Sequence, residues 1–380
     1  MAKNELYLSV GCVSDIHLGH KKTRTADIVS NLDTYLTNDK VFKSLDVLFL
    51  AGDVFDDVVS LSRRESNIIT SWIYRTILLS IKHKVAIRVL EGTPSHDRAQ
   101  SKHFETKVAD IFESSGVLAD VRYIDTLSVE QLTVDDKSYY ILYVPDELGP
   151  AQQTLERVDE LLLSRDLSRF DIAVMHGTFD FQNPIIAHHT GTHKSQEYLN
   201  RCKLVFIGHE HNPKSLEHIH AQGSFDRLEH GQEHPKGYLK AKIYPDGHYE
   251  MQSVHNKGAI IYKTIICRSE DIENEYQKVE KAVFGLVDGS HVCIQTTKQS
   301  PMAHCLPVFE NKYPLLHWKV NLKDDSKAAP IEIGVTLSQD YTPIVINEHT
   351  LLDLVMQQAS YMDLNADSIN NIILEVKEVM

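Results

Sequence analysis

Apolar residues in the N-terminal part of the chain fall in short unbroken runs. Positions 6–13, 47–51, 85–90, 139–144, 172–175 and 204–207 are dominated by Val, Ile, Leu and Tyr. Runs of this length are short for buried helices and predict buried strands. Over 63–81 and 154–164 the apolar positions recur at helical spacing instead, and these segments predict helices. Strands alternating with helices are the pattern of an α/β domain.

Near residue 255 the pattern changes to strand, helix, strand, at 259–267, 270–284 and 291–296, as in a small second module. Beyond Pro330 two amphipathic stretches, 348–361 and 367–379, carry apolar residues such as Leu351, Leu354 and Val355 at helical spacing. Two destinations fit them, a partner helix or the chain's own domain. The organisation expected is therefore a main domain over 1–254, a capping module over 255–329 and a helical segment over 330–380. There is no internal repeat or low-complexity tract.

The positions just after the apolar runs are chemically biased. Asp15 and His17 form D-x-H after the first, and Asp53 sits in G-D-V-F-D after the second. His96 and Asp97 close E-G-T-P-S-H-D after the third, His176 opens H-G after the fifth, and His209 and His211 form G-H-x-H after the sixth. Strand C-termini of an open α/β sheet are where loops gather ligands, so these distant residues are expected to converge. Three carboxylates with five imidazoles suit Mn, Fe or Zn better than Ca or Mg alone. In extended chain, residues two apart point to one side, so D-x-H and H-x-H can each present both side chains to one ion. Asp53 is the natural bridge between two cations about 3.5–4 Å apart, the spacing that clamps a transferring phosphoryl group and acidifies a bound water.

Charge narrows this further. Against 53 Asp and Glu stand 39 Lys and Arg, a formal net charge of −14, so DNA cannot be held by bulk positive charge and any affinity for it must be local. With 42% hydrophobic and 24% charged residues the chain has an ordinary globular composition. Cys12, Cys202, Cys267, Cys293 and Cys305 are odd in number and contain no C-x-x-C pair, which argues against a disulfide framework or a thiolate zinc site. No signal region or membrane-length apolar run is evident, and the expectation is an intracellular protein of the cytoplasm or nucleoid.

Together D-I-H-L-G-H, G-D-V-F-D-D, S-H-D, H-G and G-H-E-H resemble the motifs of calcineurin-like metallophosphoesterases. The segment 220–237, H-A-Q-G-S-F-D-R-L-E-H-G-Q-E-H-P-K-G, further resembles the G-S-x-x-R, G-E, K-G signature of SbcD-type DNA repair exonucleases. That resemblance implies an α/β fold of two packed sheets flanked by helices, with a small α/β capping module and a C-terminal helical tail. It implies two divalent ions, most often manganese, with magnesium an option. Asp15, His17 and His211 would hold one, His176 and His209 the other, with Asp53 bridging. His96 would be the catalytic histidine and Asp97 would orient it. It also implies exonuclease action on duplex ends and endonuclease action on single strands or hairpins. The implied setting is DNA repair, recombination or replication with an SbcC-like coiled-coil ATPase, in a complex that can contain a homodimer. The sequence departs from the family at the third motif, where G-N-H-D is replaced by Gly92-Thr93-Pro94-Ser95-His96-Asp97. The usual asparagine ligand is missing, and the hydroxyl of Ser95, next to the histidine, is one substitute.

Lys21, Lys22 and Arg24 after the first motif, and Arg98 and Lys102 after the third, are candidates to meet DNA phosphates or to be plain solvated surface. Arg227 reads as a loop brace, His188, His189 and His193 as a surface-loop cluster, and Cys12, Trp72 and Trp318 as packing. Two other readings share part of the pattern: a nucleotide or phosphomonoester phosphatase on the same scaffold, and a scaffold kept for protein binding after loss of catalysis.

Overall fold

A strand covered on both faces must be apolar at nearly every position, and the N-terminal runs meet that condition because each lies between two layers. The computed structural model describes residues 7–59, 64–147, 149–182 and 189–323. Its strands are β1 (Leu8–Val13), β2 (Val47–Ala51), β3 (Ala86–Leu90), β4 (Val121–Ile124), β5 (Ser128–Val134), β6 (Lys137–Val144), β7 (Ile172–His176), β8 (Val205–Gly208), β9 (Lys214–Leu216), β10 (Ile219–Ala221), β11 (Gly237–Ile243), β12 (Tyr249–His255), β13 (Tyr262–Ile266), β14 (His291–Thr297) and β15 (His317–Lys323). They form three sheets, ordered β12-β11-β1-β2-β3-β4, β5-β6-β7-β8-β10-β9 and β13-β14-β15. Strands β1 to β4 run parallel, and so do β6, β7 and β8.

Alternation along each strand sorts its side chains between layers. Val47, Phe49 and Ala51 of β2 join Ile141, Tyr143, Val174 and Phe206 in the core between the two large sheets. Leu48 and Leu50 belong instead to the cluster that contains Ile28, Leu32, Trp72, Ile73 and Phe104 from helices Thr25–Tyr35, Arg64–His83 and His103–Ser115. Behind the second sheet, Leu142, Ala173 and Val205 meet Leu155 and Val158 of helix Ala151–Ser164 and Tyr198 of helix Ser195–Arg201. The architecture is the expected α/β sandwich of two sheets flanked by helices. Each fully buried Val, Leu, Ile or Phe contributes roughly 1.5–3 kcal/mol. That packing fixes where the strand ends lie.

Helix Ala151–Ser164 begins three residues before the predicted 154, because its first turn buries nothing and its apolar periodicity starts only at Leu155. The segment predicted as helix over 63–81 runs Arg64–His83. In the C-terminal part of the described chain, β13, β14 and β15 pair in parallel, and helix Ile272–Val283, capped by Asp271 accepting from the Asn274 backbone N–H, packs on them through Val279 and Val283. Contacts that join this sheet and its entry to the main domain include Arg227 Nη1 donating to the Ala259 carbonyl (3.1 Å), the Thr23 and Tyr262 hydroxyls (3.0 Å), Thr264 with His230 (3.2 Å) and the Lys263–Glu233 ion pair (3.5 Å). The amphipathic stretches 348–361 and 367–379 lie outside the described residues.

Candidate metal centre

The strand ends of both large sheets deliver their polar residues to one place. Asp15 and His17 follow β1, Asp53 follows β2, the Gly92–Asp97 loop follows β3, His176 ends β7, and His209 and His211 follow β8. The local backbone is not the extended chain expected from D-x-H spacing. Asp15 (φ 51°), His17 (φ 54°), Asp53 (φ 50°) and His209 (φ 103°) all have left-handed φ, a conformation that costs such residues about 1–3 kcal/mol each and persists where the surroundings impose it. Glycines make the convergence possible. A Cβ on Gly52 (φ 85°) would lie 2.2 Å from His176 Nδ1, and one on Gly208 would lie 2.3 Å from the Ala51 carbonyl, so the two sheets approach closely only because these positions lack side chains.

Three groups of ligand-type atoms result, each within 4.8 Å: Asp15, His17 and His211; His17, Asp53 and His96; and Asp53, His176 and His209. Asp53 is common to the second and third. His209 and His211 therefore fall in different groups, not in one as the H-x-H spacing alone had suggested. His176 Nε2 lies 3.3 Å from Asp53 Oδ1, His17 Nε2 3.9 Å from Asp53 Oδ2, and His211 Nε2 3.8 Å from Asp15 Oδ1.

The outer ring nitrogens are already engaged. His176 Nδ1 donates to the Ala51 carbonyl at 2.8 Å, and His17 Nδ1 lies 3.0 Å from Asp56 Oδ1. His211 Nδ1 meets the Gln232 carboxamide at 2.8 Å. The first two contacts hold the proton on Nδ1 and leave the Nε2 lone pairs of His176 and His17 facing inward, whereas the Gln232 amide N–H donates to His211 Nδ1 and puts the His211 proton on Nε2. His17 Nε2 and His211 Nε2 are 3.1 Å apart, the distance of an N–H···N hydrogen bond whose proton a cation would displace. Burial would raise Asp53, yet His176, His96 and His17 hold its carboxyl well below the usual carboxylate range. Burial opposes charging His176, but Asp53 and Asp15 raise it to about 10. The donors fit divalent cations on their own chemistry: buried imidazoles and carboxylates in converging sets.

A family model described as calcineurin-like phosphoesterase matches residues 8–213, more than half of the chain. The chain belongs to that family. No curated protein matches it. Among solved structures, the TT1561 protein of Thermus thermophilus is similar at 10% identity over 66% of this chain and 100% of that one, with a TM-score of 0.36, and a second structure is similar at 12% identity with the same coverage and TM-score. Calcineurin-like phosphoesterases hydrolyse phosphoesters with divalent metals, and the clusters around Asp53 are this chain's candidate sites for them. No helix among the described residues is long and apolar enough to cross a membrane.

Two sequence expectations about this calcineurin-like site need correction. Asp97 does not orient His96. Its carboxylate is wholly buried and accepts from the backbone N–H of Phe55 (Oδ1, 2.8 Å) and of Gly92 (Oδ2, 2.8 Å), tying together the loops after β2 and β3. Burial, with Asp53 and Glu91 nearby, pushes it up to about 7. His96 meets Asp53 instead, Nδ1 to Oδ2 at 2.9 Å, and that bond raises the imidazole pKa. Ser95 is exposed and outside the clusters, its carbonyl accepting from Arg98 Nε at 3.0 Å. Thr93 is the hydroxyl that the loop brings among the ligands, 3.3 Å from His209 Nδ1.

The segment 223–237 forms the floor beneath His211. Lys236, buried, donates to the His211 carbonyl (2.6 Å) and to Ser224 Oγ (2.8 Å). Arg227 braces the loop by donating to the carbonyls of Gln232, His234 and Ala259. Lys21, Lys22 and Lys102 are exposed near these loops, whereas Arg24 pairs with Asp27 at 2.7 Å and Arg98 leans toward Asp57 at 3.7 Å. His193 is not a surface residue: it is buried against Phe179 and Tyr198, and burial lowers it to about 4. His189 is exposed and His188 lies outside the described residues. Cys12 and Trp72 are core residues, and Trp318 stacks on Phe309. The sequence reading missed Asp56, Gln232 and Asp146. Asp146 had a signal: it comes just after the 139–144 run, the one whose end was passed over.

Proposed function

We propose that this calcineurin-like phosphoesterase is a DNA nuclease subunit that cuts phosphodiester bonds with two divalent ions, manganese or magnesium, and works with a coiled-coil ATPase in DNA end processing. The observation that carries the DNA reading is the 223–237 segment. Its Ser224, Arg227 and Lys236, the residues that resemble the SbcD-type signature, bind the His211 loop on one side and the Ala259 carbonyl on the other. The metal group and the approach to the third sheet are thus built by one stretch of chain.

Two bound ions supply charge neutralisation on the phosphate and a nucleophile from water near neutral pH. The protein's own contribution is placement. Asp53 holds the two groups in register, and Asp56, Ala51 and Gln232 keep the imidazoles aimed inward. His96, partly exposed, stands beside Asp53 with its other ring nitrogen unbonded among the described residues, able to give a proton to a leaving oxygen. Lys21, Lys22 and Lys102 offer positive charge to the phosphate backbone of a substrate.

The test is hydrolysis of end-labelled duplex and single-stranded DNA by the full chain, with Mn, Mg or chelator, beside p-nitrophenyl phosphate. DNA cutting that requires the metal is the expected result. Turnover of the monoester without any cutting of DNA, even with the ATPase present, overturns the nuclease reading in favour of a phosphatase. Deletion of residues 330–380 is expected to abolish co-purification with the ATPase while hydrolysis of bis(p-nitrophenyl) phosphate continues. Undiminished co-purification rejects that segment as the docking element.

A further inference from the structure

We propose that the Thr93 hydroxyl is the fourth protein ligand of the ion held by Asp53, His176 and His209. This rests on the two-ion reading of the site given above.

The geometry carries the assignment. Thr93 Oγ1 lies 3.3 Å from Asp53 Oδ2, 3.3 Å from His209 Nδ1 and 3.4 Å from His176 Nε2. His176 Nε2 and Asp53 Oδ1 are themselves 3.3 Å apart. Two adjacent ligands on one ion, with bonds of about 2.1 Å, stand about 3.0–3.4 Å apart, and an ion of higher coordination number than four keeps positions open for water and phosphate. The three separations from the Thr93 hydroxyl have that size, one to each of the three residues of the group, and they are long for ordinary hydrogen bonds to a hydroxyl.

The hydroxyl is also held in place. The Thr93 backbone N–H donates to Asp53 Oδ1 at 2.6 Å, so the residue is tied to the shared carboxylate independently of its side chain. Pro94 comes next and disfavours the helical conformation at Thr93, and a β-branched side chain has few rotamers. A hydroxyl that gives a lone pair to a cation must direct its proton elsewhere. Asp146, just after β6, is half-buried and lines the same cavity as His209, on the side from which such a proton could be accepted. Ser95, nearer His96 in sequence, is exposed and reaches none of these atoms.

The experiment is titration of the metal-free full chain with Mn by calorimetry, with the stoichiometry checked by equilibrium dialysis. Wild type is expected to take up two ions. Thr93→Ala, which keeps the backbone bond to Asp53, is expected to weaken one of them by about 10–100-fold, the cost typical of disturbing a metal site's supporting shell. Thr93→Ser and Thr93→Asn, which restore an oxygen, should recover most of that affinity. Ser95→Ala should change nothing. Two wild-type affinities in Thr93→Ala, with two ions still bound, overturn the role of Thr93 alone. A wild type that binds no second ion overturns it together with the two-ion reading.

Discussion

Asp53→Asn is expected to remove tight binding of both ions and to lower phosphodiester hydrolysis by more than about 10³-fold, beyond the 10²–10³ typical of losing one donor to a reacting group. The reason is that no other carboxylate belongs to more than one of the three ligand groups. Asp53 is almost wholly buried, and its oxygens face His176, His96 and His17 while accepting from the Thr93 backbone. An asparagine preserves the shape but removes the negative charge and offers one oxygen instead of two. Three imidazoles would then face a neutral amide. Thermal unfolding with and without Mn gives a second readout, because a ligand at 100 times its Kd adds about 2.7 kcal/mol of stability. Wild type should gain from Mn and lose the gain to chelator, whereas Asp53→Asn should unfold at the same temperature in both. A variant that still shows the wild-type Mn-dependent rise would remove Asp53 from the centre of the site.

The parallel core strands could be read from the sequence because burial on both faces makes them continuously apolar, as in β2, Val47–Ala51, where the prediction and the structure coincide. Strands with one solvated face left no such trace. β12 alternates half-buried and exposed side chains, and β9 is only three residues, Lys214–Leu216, so neither stands out from loop. The positions of the motif residues were legible for the same reason: each comes after a run whose direction and burial are fixed by packing.

Side-chain directions within the motifs were not legible. His96 and Asp97 are neighbours, but both backbone N–H groups bond to the Thr93 carbonyl, and the chain turns so tightly there that the imidazole meets Asp53 while the carboxylate enters the interior. Adjacency in sequence therefore misassigned Asp97. The same turn carries Ser95 outward and Thr93 inward. His209 and His211 separate for a related reason: the left-handed φ of His209 breaks the two-residue repeat of an extended strand. Backbone strain of this kind is invisible to a periodicity argument, and it is concentrated at the residues with the most chemistry to perform.

His96→Ala should separate placement of the ions from proton transfer. Removing this ring leaves both remaining ligand groups complete, Asp15 with His17 and His211, and Asp53 with His176 and His209. Two ions should therefore still bind, with affinities near those of wild type. Turnover of phosphodiesters with alkoxide leaving groups, as in DNA, should still fall by about 10²–10⁴-fold, the usual contribution of a positioned general acid. The fall should be smaller for esters such as bis(p-nitrophenyl) phosphate, whose leaving group needs no proton, so a series of leaving groups of rising pKa gives a readout that a merely structural role would not produce. His96→Gln, which keeps a hydrogen-bond donor beside Asp53 but does not titrate, should resemble the alanine variant in rate and wild type in metal content. Loss of an ion from His96→Ala would instead make the residue a ligand, consistent with its place in the group with His17 and Asp53, and undiminished turnover would exclude it from the reaction.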